Sequence, residues 1–352
     1  MGKKDGESIV QVAIVNVTGY AGVELARLLS AHPCARLISV TGRSEVGKKV
    51  GEVFPHLGSI DLNIEAQPGK ADIVFCTLPH KASAEAILPL IDDGSRVIDI
   101  SADFRLHDKQ AYEQWYGFVH PAPDILKIAI YGLPELHRNE IASAQLVANP
   151  GCYPTGAILA LTPAVQRQIV EPDIIIDSKS GVSGAGRALS LGTHYSEVNE
   201  NFRAYAVGGH RHFPEINQEL GLLSSESALS ITFLPHLVPM TRGIFTSCYA
   251  KLREDWLGKV HGAKDALMDI YREFYRDEPF VRIVTSPPET KHTWGSNYCH
   301  IYPTLDQRTG RLIVLSCIDN LVKGAAGQAI QSMNIMCGFP ETMGLAGLAM
   351  YP

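Results

Sequence analysis

Along the first 150 residues, short and nearly continuous apolar runs alternate with stretches in which apolar residues recur every three or four positions. Val10 to Val15 (VQVAIV), Leu37 to Val40, Ile73 to Cys76, Val97 to Ile100 and Leu146 to Ala148 read as strands covered on both faces. Between the first two, Ala21, Leu25, Leu28 and Leu29 repeat with helical spacing, and His32-Pro33 ends the run. Strand, helix and strand in this rhythm predict a Rossmann-type α/β domain, a doubly wound parallel sheet.

The rhythm changes after residue 151. A helix over about 154 to 168 is followed by the strand PDIIIDSK, a glycine-rich loop (SGVSGAGR, 180–187) and a long polar stretch. Then come Leu229 to Leu234, Ile244 to Leu252, an amphipathic helix carrying Val260, Leu267, Ile270, Tyr271 and Phe274, and strands near 280–284, 296–302 and 311–317. Closely spaced strands with few helices between them predict a mixed or antiparallel sheet, hence a second, α+β domain. The last helix, about Asn320 to Cys337, sets Leu321, Ala325, Ala329 and Met333 on one stripe and is expected to pack back on the first domain. The chain therefore divides into a nucleotide-binding domain, 1–150, completed by 320–352, and a catalytic and oligomerisation domain, 151–319.

Composition narrows the function. At 352 residues, with 45% hydrophobic and 19% charged residues, the chain has enough apolar mass for two cores. Its net charge of −6 comes without a long run of one sign, which argues against nucleic acid or an anionic membrane as partner and for a small soluble ligand. The seven cysteines are scattered, with no zinc-like spacing, so no metal site is expected and a reducing compartment is. The start, MGKKDGESIVQVAIV, has neither the apolar core nor the cleavage site of a signal peptide, and no apolar run reaches membrane-spanning length. A cytoplasmic location is expected, or an organelle stroma if a transit peptide has been removed.

Two loops carry the nucleotide reading. The first strand runs into Asn16-Val17-Thr18-Gly19-Tyr20-Ala21-Gly22. Gly19 can let the backbone approach a pyrophosphate, Gly22 can let helix meet strand, and the helix N-terminus faces the anion. Asn16 stands where a glycine usually opens such a turn, and asparagine is the next most tolerant residue for unusual backbone angles. The second strand ends in Thr41-Gly42-Arg43-Ser44, with Lys48 and Lys49 beyond. A site for NAD tends to place a carboxylate there. Arg43 can instead grip a 2′-phosphate, so NADP(H) is the expected cofactor.

The chemistry centres on ANPGCYPTG, residues 148–156. Pro150 and Gly151 force a turn, and Pro154 suits a first helical turn, so the helix is expected to begin there. Cys152 then sits at or just before a helix N-terminus, where the positive end of the dipole favours a thiolate nucleophile. A thiolate needs a partner to handle protons, and Gly208-Gly209-His210-Arg211-His212-Phe213-Pro214-Glu215 is the densest source, with either histidine open to the role. His236 reads as a core or site-lining residue. Arg105, in the SADFR segment after a strand of the first domain, and Arg211 are candidates for a phosphate or carboxylate, and the 183–187 loop can approach a ligand closely.

GYAGVEL, LPH, SADFR, NPGCYPT, KSGVSGAGR, HRHFPEI, SNYCH and DNLVKGAAGQA occur in an order that resembles the N-acetyl-γ-glutamyl-phosphate reductase family, relatives of aspartate-semialdehyde dehydrogenase. The resemblance runs from about residue 9 to the C-terminus. It implies NADPH-dependent reduction of an acyl phosphate, N-acetyl-L-glutamyl 5-phosphate, to the semialdehyde with release of inorganic phosphate, through a cysteine thioester, in arginine biosynthesis. It implies Cys152 as nucleophile, His210 as general acid/base, and His212 and Glu215 beside the substrate. Gly19, Tyr20, Ala21, Gly22, Arg43, Ser44, Pro79, Ser183, Gly184 and Asn320 match cofactor-lining positions. A homodimer or homotetramer is implied as well.

Three other readings compete. The same chemistry can act on aspartyl phosphate or carrier-linked aminoadipyl phosphate. A non-catalytic NADP-binding redox sensor would use Cys152 as a switch, and a thiol hydrolase would need no nicotinamide.

Overall fold

The computed structural model describes residues 9–226, 228–260 and 265–352. Residues 1–8, expected to lack a signal peptide, and 261–264 with the Val260 side chain, within the helical stretch expected from Val260 to Phe274, lie outside the described residues. The chain forms two compact units, one comprising residues up to Glu113, Gly117–Pro150 and Ala325–Ala346, the other Gln114–Tyr116, Gly151–Gly324 and Gly347–Pro352.

In the first unit, β1 (Val10–Val15), β2 (Ala35–Thr41), β3 (Ile64–Glu65), β4 (Ile73–Cys76), β5 (Arg96–Asp99), β6 (Ala129–Tyr131) and β7 (Leu146–Ala148) form one sheet in the order β3-β2-β1-β4-β5-β7-β6. Every pairing is parallel, so the Rossmann-type reading holds. The interior strands are β-branched and buried on both faces, because helices cover the sheet: α1 (Tyr20–Leu29), α2 (Ala82–Asp92) and α3 (Pro134–Ser143). β3 and β6 were not expected; at two and three residues on opposite edges, they are too short to carry a periodicity.

The last helix, Gly327–Met336, lies against α3, α1 and β5. All ten of its residues are buried, so it has no solvent stripe, and two of its polar side chains bond to carbonyls inside the unit. Gln328 Nε2 donates to the Gly132 carbonyl at 2.8 Å, and Asn334 Nδ2 donates to the carbonyls of Glu341 and Met343.

In the second unit, β8 (Val170–Gly181), β9 (Arg203–Ala204), β10 (Ser230–Val238), β11 (Ile244–Leu252), β12 (Val281–Ile283), β13 (Cys299–Asp306) and β14 (Arg311–Ile318) follow the order β12-β13-β14-β11-β8-β10-β9. The β8–β10 and β12–β13 pairs are parallel and the others antiparallel, a mixed sheet as expected. Against this sheet lies α4 (Cys152–Gln166), flanked by α5 (Phe213–Leu223) and α6 (Ala266–Phe274). Residues 153–165 of α4 are all buried, which is why the stretch is apolar on every side. From α6 and the residue after it, Tyr271 and Tyr275 donate their hydroxyls to the α4 carbonyls of Ala160 and Leu159 (2.9 and 2.6 Å).

Residues 320–324 and 347–352, placed with the first domain on sequence, cluster with the second unit. The Asp319 carboxylate accepts from the N–H groups of Leu321 and Val322 (2.8 and 3.1 Å), holding that turn at the end of β14, and Met350 N–H donates to the Trp294 carbonyl at 2.9 Å. Among the described residues, no helix is long and apolar enough to cross a membrane.

Candidate active site

The prolines predict a start of α4 at Pro154; in the structure Gly151 is its N-cap and Cys152 its first helical residue. Pro154 is tolerated two positions further in because the first-turn N–H groups have no acceptor within the helix, so its missing N–H removes no helical bond. The first helical hydrogen bond runs from Thr155 N–H to the Gly151 carbonyl at 3.0 Å. Upstream, the Gly151 N–H donates to Glu215 Oε1 at 2.6 Å. Glu215 is fully buried in the first turn of α5, so the helix that opens just after the histidines braces the segment that presents Cys152.

Tyr153 makes the second link. Its ring meets His210, His212 and Phe233 edge to face, with centroids 5.6, 5.8 and 5.6 Å away. Its hydroxyl accepts from Tyr205 (2.9 Å) and donates to the His236 carbonyl (3.2 Å). Burial, the Tyr205 phenol and the Cys152 thiol together push the Tyr153 phenol well above its ordinary range, and burial first, then Cys152, pushes Tyr205 up to about 12. Both phenols are therefore hydrogen-bonding groups only. Tyr153 stood in the cysteine motif without a role, and Tyr205 had no signal at all, since its partner lies 52 positions away in sequence.

His210 is enclosed by Tyr153, Tyr205, Phe233 and His212. Burial and then the neighbouring Arg211 charge lower its pKa to about 4, so the ring is neutral at pH 7. The His212 N–H donates to His210 Nδ1 at 3.1 Å, which assigns the ring proton to Nε2. His212 is the N-cap residue of α5, and its ring meets His210 edge to face with centroids 4.8 Å apart. Arg211 is exposed, its guanidinium 5.9 Å from the Tyr116 ring centre, and its carbonyl accepts from the Tyr116 hydroxyl. His236 Nδ1 lies 3.0 Å from Asp177 and its ring stacks on Phe202.

The remaining second-unit candidates form one knot. Asn320 is buried; its Oδ1 accepts from the Gly243 N–H (2.7 Å) and its Nδ2 donates to Ser183 Oγ (2.9 Å). A Cβ at Gly184 would stand 3.1 Å from Ser180 Oγ and 3.7 Å from Asn320 Nδ2, so the loop is drawn in tightly there.

The other candidates belong to the first unit. Asn16 adopts φ 70°, the left-handed conformation a glycine would supply, and is pinned by Nδ2 donating to the Thr77 carbonyl and by its N–H on Thr41 Oγ1. Gly19 is the N-cap of α1, where an added Cβ would meet only Asn16 Nδ2 at 3.7 Å. At Gly22 a Cβ would lie 2.7 Å from the Asn16 carbonyl oxygen and from Val17 Cα, so helix and strand touch through it. Tyr20 and Ala21 open α1 between these glycines. A groove of about 420 Å³ at the carboxyl ends of β1, β2 and β4 is lined by Asn16, Thr41, Gly42, Arg43, Leu78 and Glu85, among others, with Ser44 and Pro79 next in sequence to Arg43 and Leu78. An open helix N-terminus beside a groove of this size suits a dinucleotide. Arg105 is buried and holds the Asn149 and Ile100 carbonyls at 2.8 and 2.9 Å. Among the described residues no cluster of histidine, cysteine and carboxylate side chains is placed to hold a metal ion.

Residues 11–144 match the family described as semialdehyde dehydrogenase, NAD binding domain, and residues 152–320 match semialdehyde dehydrogenase, dimerisation domain. A protein of Dehalococcoides mccartyi named N-acetyl-gamma-glutamyl-phosphate reductase is 54% identical over 343 residues, covering 97% of this chain and 99% of the relative. One of the same name from Pelotomaculum thermopropionicum is 51% identical, with 97% and 99% covered. The chain belongs to the N-acetyl-γ-glutamyl-phosphate reductase family. That family lies among the semialdehyde dehydrogenases, oxidoreductases with a nicotinamide-binding domain. The fold is shared more widely still. Aspartate semialdehyde dehydrogenase II of Vibrio cholerae, solved with ASA, aligns with a TM-score of 0.71 at 14% identity, covering 94% of this chain and 98% of that one. The aspartate semialdehyde dehydrogenase of Candida albicans, solved with NADP, aligns with a TM-score of 0.66 at 15% identity and the same coverage.

Proposed function

We propose that this family member reduces N-acetyl-L-glutamyl 5-phosphate to N-acetyl-L-glutamate 5-semialdehyde with NADPH, in arginine biosynthesis, as a cytoplasmic homo-oligomer assembled through its second domain. The names of its relatives support the substrate, and the match to a dimerisation domain supports the assembly. The observation that carries the chemistry is the placement of Cys152 at the first position of α4, its N-cap amide held by the glutamate that follows the histidine pair.

The Cys152 thiolate, stabilised by the helix N-terminus, attacks the acyl carbon. A C–S bond forms and the C–O bond to phosphorus breaks; phosphate leaves with that electron pair and takes up one proton. When bound, a nicotinamide would supply the hydride that the resulting thioester needs. His210 meets the oxyanion that develops on the carbonyl with its Nε2–H, the tautomer that the His212 amide enforces. Collapse of that oxyanion restores the carbonyl as the aldehyde and returns the electron pair to Cys152 sulfur. Tyr153 and Tyr205, hydroxyl to hydroxyl, keep the imidazole oriented without trading protons themselves.

For the cofactor, α1 would receive the pyrophosphate at Gly19. Arg43, in the lining of the groove, would pair with the 2′-phosphate. Arg43→Ala is expected to raise KM for NADPH at least tenfold while leaving KM for NADH nearly unchanged; equal losses with both would remove Arg43 from phosphate recognition.

The central test runs the reaction backwards. The purified protein should oxidise N-acetylglutamate semialdehyde with NADP only when phosphate is present, and much faster than it oxidises aspartate or aminoadipate semialdehyde. Cys152→Ser should abolish turnover yet still quench NADPH fluorescence. Turnover that ignores phosphate, or that survives in Cys152→Ser, overturns the proposal.

A further inference from the structure

The backbone of residue 324 lies directly against Cys152. Asp319 is fully buried at the end of β14, and its carboxylate is surrounded by donors. Oδ1 takes the N–H groups of Leu321 and Val322, Oδ2 takes the Gly295 N–H at 2.7 Å, and Arg242 Nη1 stands 3.5 Å away. The chain then makes a π-type turn over Val322–Ala326, in which the Gly324 N–H reaches back five residues to the Asp319 carbonyl at 2.9 Å. Lys323 is buried within this turn, its ammonium 5.7 Å from the centre of the Phe280 ring.

The wide turn brings the backbone of residue 324 directly against the cysteine. A Cβ built on Gly324 would lie 2.8 Å from Cys152 Cβ, closer than carbon atoms pack, and 3.3 Å from Cys152 Cα, at the tight end of contact. Neither neighbour can yield cheaply. One is the first atom of the nucleophile's side chain and the backbone of an N-terminal helical residue, and the other is a turn held at its start by four contacts to Asp319. Insertions of the π type are uncommon and recur at functional sites, where the extra residue re-aims a segment.

We infer that Gly324 is a positioning residue: the absence of a side chain lets the π-type turn lie on Cys152 Cβ and fix the direction in which the thiol points. The inference rests on the reading of Cys152 as nucleophile, and it adds the element that aims it. A methyl group at 324 displaces Cys152 Cβ, and a displacement of about 1 Å at a reacting atom costs on the order of a hundredfold in rate.

The test is Gly324→Ala in the full-length protein. Expected are a fall in kcat of at least tenfold, KM for phosphate and affinity for NADPH within threefold of wild type, and an altered rate of Cys152 alkylation by iodoacetamide at fixed pH. A purely structural role would not split kcat from KM or move the alkylation rate. A second measurement does not depend on activity. If the crowding is between residues 152 and 324, the drop in thermal midpoint caused by Gly324→Ala shrinks by at least half in a Cys152→Gly background, where the closer of the two Cys152 carbons is missing. Should Gly324→Ala fail to fold, recovery of folding in the double variant supports the inference equally, and no recovery overturns it. Wild-type kcat in Gly324→Ala, or the same loss of midpoint in both backgrounds, also overturns it. If Cys152→Ser keeps full turnover, the nucleophile assignment fails, while the midpoint coupling between 152 and 324 still reports on the contact.

Discussion

At the scale of single residues, the two groups most exposed to test are Glu215 and His210. The HRHFPE segment was legible because two histidines, an arginine and a carboxylate so close together have few structural uses. Their division of labour was not legible, because it depends on which backbone amides they face. The resemblance places Glu215 beside the substrate; in the structure its Oε1 accepts from the Gly151 N–H. Glu215→Ala leaves that buried amide without its acceptor and is expected to cost about 1–3 kcal/mol. Glu215→Gln keeps a carbonyl acceptor and should lose less than half as much. Urea unfolding of the two variants checks the order, and equal losses would mean that the carboxylate charge matters more than the Gly151 bond. Tyr205 shows the opposite case. Nothing local marks it, because its role is made entirely by a partner brought near by the fold.

At the scale of elements, the apolar strands of the first sheet's interior are legible to within two residues at either end, since burial on both faces leaves a signal in the residues themselves. In the second sheet, by contrast, Ser230–Val238 runs four residues past the expected end at Leu234, and Cys299–Asp306 lies three to four residues beyond the expected 296–302. Short edge strands such as Ile64–Glu65 and Arg203–Ala204 left none; they exist because a neighbour offers a free edge. The βα turn after β1 lies between these cases. Its glycines were legible, and Asn16 was recognised as a substitute, but what holds Asn16 at φ 70° is a side-chain bond to Thr77 on the neighbouring segment. An alanine there keeps the strained backbone and loses the bond, so Asn16→Ala is expected to destabilise by about 1–3 kcal/mol. Asn16→Gly loses the same bond but relaxes the backbone, and the two effects offset. Denaturation midpoints should therefore rank wild type close to Asn16→Gly and well above Asn16→Ala. An Asn16→Ala protein as stable as wild type would mean that the turn is held by its neighbours alone.

At the scale of the whole molecule, buried titratable groups set how stability responds to acid, and they pull in opposite directions. Burial and then nearby positive charge lower His210 and His300 to about 4, and burial also lowers His32 and His120. A histidine whose pKa falls on folding binds fewer protons in the folded state. Its contribution is present in full above the unfolded value near 6.5 and is lost as pH falls toward 4. Asp99 works against this. It is fully buried between Ser83 and Ser101, whose hydroxyls donate to it at 2.7 and 2.6 Å, yet burial outweighs those bonds and raises its pKa to about 6. A raised carboxyl binds more protons when folded. As pH rises from about 4 to 6 it therefore withdraws stability, on the order of 3 kcal/mol for a shift of this size, and as pH falls it gives that stability back. The protein should thus lose stability between pH 6.5 and 4, with Asp99 blunting the loss. Asp99→Asn removes the blunting group while keeping an acceptor for the Ser101 amide, so the fall of the thermal midpoint across that window should steepen. His300→Gln removes one of the opposing groups, and the slope should flatten. Midpoints recorded at half-unit steps of pH decide the matter: a shallower slope in Asp99→Asn would mean that the carboxylate is ionised throughout and that the serine hydroxyls, rather than burial, govern its charge.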